Sequence, residues 1–383
     1  MEVYINDLAS FLPNQPVENH EIEGLLGMVG EIPSTTRELI LKKNGIRTRH
    51  YAVDPATGLQ THTNAQLTAR AIEKLRPHGD FSPEQIRCIA CGTSTPDQLK
   101  PGHGPMVHGE LGTGPCEVVS TAGICLSGIT AFKYACMNIA TGFSDNAVAT
   151  GSELASSFLS SRLCDFPAST KKSGDRQDQP LPFEADFLRW MLSDGAGAAF
   201  LSGAPIDNGM PSLKVAWMEH LSFAGQLPTC MYAGAIKKKD GTFKGWRQFS
   251  SIQQAAEQNA FLIKQDASLL NREIVVTAVD RTLTRVIEKH RLDAAHVDWF
   301  LPHYSSDFFR QRLYDRMKAI GFEIPQEKWF TNLATCGNTG AASIYIMLDE
   351  LFHSGRLRQG EKILCFIPES GRFSMCYIML TVA

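Results

Sequence analysis

Short apolar runs alternate along the chain with longer stretches in which apolar residues recur every third or fourth position. CIACGTS, NAVATGSEL and GAGAAFLSG read as buried strands, and NAQLTARAIEKL and SGITAFKYACMNIATG as amphipathic helices. The second half repeats the rhythm. SLKVAWMEHLS is followed by a helical stretch from about Ser251 to His290, the strand VDWFLPHYS, the helices FFRQRLYDRMKAIG and AASIYIMLDELFHSG, and the strands EKILCFIPE and MCYIMLTVA. This alternation predicts α/β layers around buried sheet. The two halves are parallel in architecture without a residue-level repeat, and they divide into 1–202 and 203–383.

Two polar segments interrupt the pattern. Asp165 to Phe187 is rich in charge, Pro, Ser and Gln, and AIKKKDGTFKG carries a lysine run before an Asp-Gly turn. Both read first as solvated loops, the second as a hairpin tip. A sharper reading makes the first a lid over a site and the second a docking point for an acidic carrier.

Composition narrows the functional classes. The 383 residues carry a formal charge of −3, so no overall basic field would hold the chain on nucleic acid or an anionic membrane. No segment has the apolar length of a spanning helix, and the start lacks a basic region leading into an apolar run, which predicts a cytoplasmic protein. The ten cysteines lie mostly in apolar runs and read as reduced core thiols. Cys88 and Cys91 imitate a redox or zinc half-site, but strand alternation points their sulfurs to opposite faces. No His, Cys or Asp cluster has ligand spacing, and DGAGAAF lacks the lysine of a phosphate loop, so neither a metal nor a cofactor is expected.

Three segments carry chemistry. In VVSTAGICLSGITAFKYACMNIATG, Cys125 lies between a strand-like run and a helix, where the positive end of the helix dipole favours a thiolate. A buried structural thiol is the plainer alternative. His303 ends the apolar strand of VDWFLPHYSS, where either a functional or a satisfied structural histidine would sit. Asn338, in Gly337-Asn338-Thr339-Gly340, opens a helix and reads alone as a capping turn.

Taken together and in this order, the three segments resemble the β-ketoacyl-ACP synthase III family of the thiolase superfamily. Cys125 matches its acylated nucleophile, Leu301-Pro302-His303 its histidine motif, and Gly337 through Ser343 its asparagine turn. Asn44-Gly45-Ile46-Arg47, Thr93 through Asp97, Gly151-Ser152-Glu153 and Asp194 through Ala199 extend the likeness over essentially the whole chain. The resemblance implies the thiolase fold, two similar α/β halves stacked as five αβαβα layers with Cys125 at their junction. It also implies a homodimer acting on acyl groups carried by acyl carrier protein or CoA. A Cys125 thioester would form first, and His303 and Asn338 would then hydrogen-bond the enolate oxygen of a second thioester during condensation. The N–H groups of Cys125 and of the loop near Gly371 would form the oxyanion hole of the first step.

The departures from the family are specific. Glu369-Ser370-Gly371-Arg372-Phe373-Ser374 stands where a glycine-rich loop is usual, placing Arg372 near the expected acyl pocket, and Tyr304-Ser305-Ser306 replaces Gln-Ala-Asn. Glu38-Leu39-Ile40 and Lys42-Lys43-Asn44 occupy the region where a tryptophan stacks on adenine in members that use acetyl-CoA. These changes point away from the housekeeping condensation of acetyl-CoA with malonyl-carrier. His62 through Leu67 and TSTPDQLKPGHGPMVHGELGTG resemble a subgroup forming dialkylresorcinols or cyclohexanediones, in which a β-ketoacyl thioester joins a second acyl thioester and a ring closes. Such a reaction wants a base, and Glu153, at the mouth end of its strand, is the candidate; a capping or interface carboxylate is the alternative. Decarboxylative condensation with malonyl-ACP to initiate fatty-acid or polyketide chains, as in β-ketoacyl-ACP synthase III, transfer of the acyl group to an oxygen, nitrogen or water acceptor, and a silent carrier-binding partner are the competing functions. A biosynthetic thiolase would need a second catalytic cysteine, and Cys336 reads instead as a core residue before the turn.

Overall fold

The computed structural model describes residues 1–164 and 181–383. Nine strands build the main sheet: β1 (Tyr4–Phe11), β2 (Cys88–Thr93), β3 (Glu117–Ala122), β4 (Asn146–Glu153), β5 (Gly195–Ser202), β6 (Leu213–Ser222), β7 (Trp299–Pro302), β8 (Lys362–Glu369) and β9 (Ser374–Val382). Their order is β7-β8-β9-β6-β1-β5-β4-β2-β3. Numbered within its own half, the N-terminal set runs third, second, fourth, fifth, first, and the four-strand C-terminal set second, third, fourth, first, which is the N-terminal order with its third strand removed. Each half has one corresponding parallel pair, β2 with β4 and β7 with β8. Each continues through two antiparallel pairs, β4-β5-β1 and β8-β9-β6. A single parallel bridge between Phe300 and Trp329 marks the place of the third strand that the C-terminal half lacks.

The halves join where β1 meets β6 at Tyr4–Lys214 and Ile5–Leu213. Between them lie the helices α2 (Ser127–Thr141) and α5 (Ser343–Phe352). Leu126, Ile129 and Phe132 pack with Ile344, Leu348 and Leu351 against Ala147 and Leu201 on one side and Ile363, Cys365 and Ile378 on the other. Outside the N-terminal strands, α1 (Asn64–Glu73) buries Leu67, Ala71 and Ile72 against Ile89, Val148 and Phe200. Outside the C-terminal strands, α3 (Ala267–Val276), its π-helical continuation Thr277–Leu283 and α4 (Arg310–Ala319) cover Leu364, Phe366 and Tyr377. The result is the five-layer thiolase fold. Cys88 and Cys91 belong to the inner and outer cores respectively, as strand alternation requires.

The long helical stretch expected from Ser251 to His290 is interrupted. A helix spans Ile252–Glu257, and Asn259 then takes a positive φ of 56°. Lys264–Gln265 pairs with Met231–Tyr232 before the Asp266 carboxylate caps α3 at the Leu269 N–H, 2.9 Å away. Helical periodicity continues through this region, but the strand pairing and the cap give its backbone groups other partners. The lysine run forms the expected hairpin, Ala235–Lys237 with Phe243–Gly245. Residues 165–180, most of the expected lid, lie outside the described residues. Among the described residues, no helix is long and apolar enough to cross a membrane.

Candidate active site

The turn after β3 carries Cys125. Ser127 Oγ donates to Ile124 O at 2.7 Å, and Thr121 Oγ1 donates to Ser127 O at 2.7 Å, fixing the turn before α2 begins. The cysteine is only 8% exposed. Burial pushes its thiol well above the ordinary thiol range, and the carboxylates of Glu369 and then Glu153 push in the same direction. Desolvation and like charge thus outweigh the helix N-terminus that the sequence suggested would favour thiolate. The resting group is a thiol.

His303 follows β7, and its backbone N–H donates to Phe366 O on β8 at 2.8 Å. Burial lowers its imidazole to about 4, so the ring is neutral at physiological pH. Asn338 is held by its main chain: its N–H reaches Met191 O at 3.0 Å, and its carbonyl accepts from Ser193 N–H at 2.9 Å. Its Oδ1 accepts the Gly340 N–H at 3.0 Å. With Oδ1 committed in this way, Nδ2 is the donor end available to a ligand.

Glu153 ends β4 and is 4% exposed. Its oxygens accept from Ser94 Oγ at 2.6 Å, Thr95 Oγ1 at 2.9 Å and Ala341 N–H at 3.2 Å. Burial nevertheless dominates and raises the carboxyl to about 7. Behind this group, Asn64 Nδ2 donates to Thr93 Oγ1 and Thr95 O, both at 2.8 Å. Part of the His62–Leu67 block therefore supports the residues that hold Glu153. Thr63 and Gln66 within it form a capping box on α1.

Close backbone approach brings the asparagine turn to the cysteine helix. A Cβ on Gly151 would stand 2.1 Å from Ala341 O, and one on Gly128 would stand 2.5 Å from the same atom. Only glycine permits this contact.

Cys125, His303, Asn338 and Glu153 line one cleft. Ser94, Thr95 and Gly340 complete its polar end, while Leu270, Ile274, Val275, Ala278, Phe309 and Leu313 extend it as an apolar arm beneath α3 and α4. The arrangement offers a thiol nucleophile, neutral imidazole and amide groups for a developing oxyanion, and a carboxyl that titrates near neutrality. Ser370 lines the cleft but Arg372 does not. Arg372 is exposed and its Nε donates to Leu227 O at 3.1 Å, while Gly371 O accepts the Cys230 N–H at 2.9 Å. In the lysine hairpin, Lys237 pairs with Asp266 at 2.8 Å, and Lys238 and Lys239 remain exposed. Cys336 is buried at the end of the short helix Leu333–Cys336 and does not line the cleft. Sequence reading passed over Glu369, treating it as part of a divergent loop; its signal is its position at the end of β8, which matches that of Glu153 at the end of β4.

Fold and cleft define a thiolase-fold enzyme. Residues 287–370 match the C-terminal model of 3-oxoacyl-[acyl-carrier-protein] synthase III. The β-ketoacyl-[acyl-carrier-protein] synthase III of Symbiobacterium thermophilum is 25% identical over 364 residues, covering 95% of this chain and 93% of that protein. Among solved structures, the tetronic acid condensing enzyme AbyA1 superposes with a TM-score of 0.77 at 20% identity, covering 99% of both chains. OleA of Xanthomonas campestris, solved with bound lauric acid and lauroyl-CoA, gives 0.73 at 19% identity, covering 100% of this chain and 99% of that one. The sequence matches support a condensing transferase of the β-ketoacyl-ACP synthase III type.

Proposed function

We propose that this protein joins a β-ketoacyl thioester to a second acyl thioester through a Cys125 acyl-enzyme, with ring closure to a cyclohexanedione or resorcinol precursor. The observation that carries the reading is the buried Glu153, lifted to about 7, on the same cleft as Cys125 and a histidine too weakly basic to take a carbon-bound proton. Cys125 attacks the first thioester; its S–H proton leaves with the departing thiolate, and the acyl group is transferred to sulfur. Glu153 accepts the α-proton of the β-ketoacyl partner, whose acidity makes decarboxylation unnecessary. His303 and Asn338 donate to the resulting enolate oxygen. The new carbon–carbon bond then forms at the Cys125 thioester carbonyl as its C–S bond breaks, and the leaving cysteine thiolate takes back the proton that Glu153 accepted, restoring the thiol and the carboxylate.

The apolar arm suits an aliphatic acyl chain, and acyl carrier protein or CoA supplies the thioester. In this reading the chain works as a homodimer, with halves dividing at 202 and 203. Strand β3 supports the dimer, since it lies at a sheet edge with mostly exposed or half-exposed residues. Incubation with acyl-CoAs and acyl-carriers, followed by a β-ketoacyl thioester, tests the chemistry by intact-protein mass spectrometry. Discharge of the Cys125 adduct without release of carbon dioxide is the expected result. Discharge only by malonyl thioester, with carbon dioxide released, would replace this reading with decarboxylative chain initiation.

A further inference from the structure

Glu369 has a relationship to the nucleophile that the proposed reaction does not use. It is the last residue of β8, as Glu153 is the last of β4, and the two strands occupy corresponding places in their halves. From these positions both carboxylates act on the Cys125 thiol from separate elements. Glu153 is held by Ser94, Thr95 and the asparagine turn, whereas Glu369 Oε2 accepts the N–H of Ile124 at 3.3 Å, within the nucleophile turn itself. Its two oxygens lie between glycines: a Cβ on Gly123 would be 3.5 Å from Oε2, and one on Gly371 would be 3.0 Å from Oε1. The carboxylate is thus clasped between the turn bearing Cys125 and the β8–β9 turn.

We infer that Glu369 is a positioning residue for the nucleophile, clasping the turn that carries Cys125 and fixing a negative charge beside the thiol. The inference rests on Cys125 being the acylated residue, but on no particular second substrate. Among the described residues, the titratable groups around the thiol are Glu369, Glu153 and, across the cleft, the neutral His303 and Tyr304. No lysine or arginine among them offsets the carboxylates. Burial raises Glu369 against the N–H groups of Ile124 and Leu126 that favour its ionised form. The consequence concerns the charge of the sulfur. A thiolate beside ionised Glu369 is repelled, whereas the thioester formed on acylation is neutral and is not. Burial is the larger cause of the thiol form of the empty enzyme; the Glu369 carboxylate, when ionised, adds to it and favours the acyl-enzyme over a return to free thiolate.

Alkylation by iodoacetamide, followed at Cys125 by peptide mass spectrometry across pH, tests this in the full-length protein without any condensation partner. Glu369→Gln retains an oxygen for the Ile124 N–H and loses the charge. Glu369→Gln should move the alkylation midpoint down by about one pH unit, making Cys125 about ten-fold more reactive below the midpoint. A profile that superimposes on the parent's would overturn the charge effect. Glu369→Asp keeps the charge and shortens the reach; it should leave the midpoint near the parent's while slowing acylation by acyl-CoA about ten-fold, and unchanged acylation would overturn the positioning role. Failure of condensation with both results intact would count against the proposed reaction and not against Glu369.

Discussion

Glu153, at the end of β4, accepts the backbone N–H of Ala341 at 3.2 Å, so a carboxylate from the N-terminal half holds the turn by which the C-terminal half presents Asn338. The same side chain lies in the cleft with Cys125. Position and protonation are therefore coupled in one residue.

Stability should record that coupling. Burial lifts Glu153 from 4.5 to about 7, so the folded protein keeps a proton that the unfolded chain releases above 4.5. Its contribution therefore falls as pH rises from 4.5 to about 7, and the loss is complete above that. Glu153→Gln should gain stability relative to the parent across this window, reaching roughly 3 kcal/mol at alkaline pH as an upper figure. Thermal or urea unfolding at several pH values checks this, and a pH-independent difference would remove the titration from Glu153.

Condensation should have its own pH dependence. With Glu153 as base, the rate from pre-acylated enzyme rises through about pH 7 as the carboxyl ionises, then levels. Glu153→Gln should lower it about 100- to 10,000-fold and abolish that limb. Single-turnover rates with a β-ketoacyl thioester would show it.

Cys125→Ala should take no acyl group from any thioester, and its melting temperature should stay close to the parent's because only a sulfur atom is removed. Intact mass spectrometry distinguishes this residue from the other cysteines, since the adduct should disappear with this one substitution.

His303→Ala and Asn338→Ala should still acquire the acyl adduct but condense about 100- to 1,000-fold more slowly, each having lost one donor to the enolate oxygen. Normal condensation alongside lost acylation would reverse the assignment of the two half-reactions.

Gly151→Ala tests the contact between the halves. Its new methyl would stand 2.1 Å from Ala341 O, a backbone atom, and must displace the asparagine turn. A loss of about 1–3 kcal/mol is expected, with condensation impaired more than acylation. Urea unfolding and the two half-reaction rates measure it.

The sequence made the layers legible because each buried strand is an apolar run and each central helix has strong periodicity, as in β4 and α2. Cys88 and Cys91 could be assigned to opposite faces by counting alone. Strand β1, by contrast, was not anticipated: Asn6 and Asp7 break its apolar run, and its register shifts between Ile5 and Asp7. The break after Glu257 was hidden because Lys264–Gln265 owes its extended form to Met231–Tyr232, a partner distant in sequence. Resemblance to the β-ketoacyl-ACP synthase III family, and not any one segment alone, suggested the residues that meet in the cleft, yet the environment of Cys125 could not be read locally. The helix start beside it was visible, whereas Glu369, 244 positions away, enters only through the fold. The same holds for Arg372, whose side chain turns to Leu227 O.

The reduction of the C-terminal third strand to the bridge between Phe300 and Trp329 makes the two ends of the sheet unequal. At one end, Phe330 N–H binds Phe300 O and caps the four-residue β7, whereas at the other β3 has no neighbouring strand on its outer side among the described residues. A molecule with one such end can add one copy of itself by strand pairing and then has no complementary end for a third. Edge-to-edge growth of this kind stops at a closed pair instead of propagating into a filament.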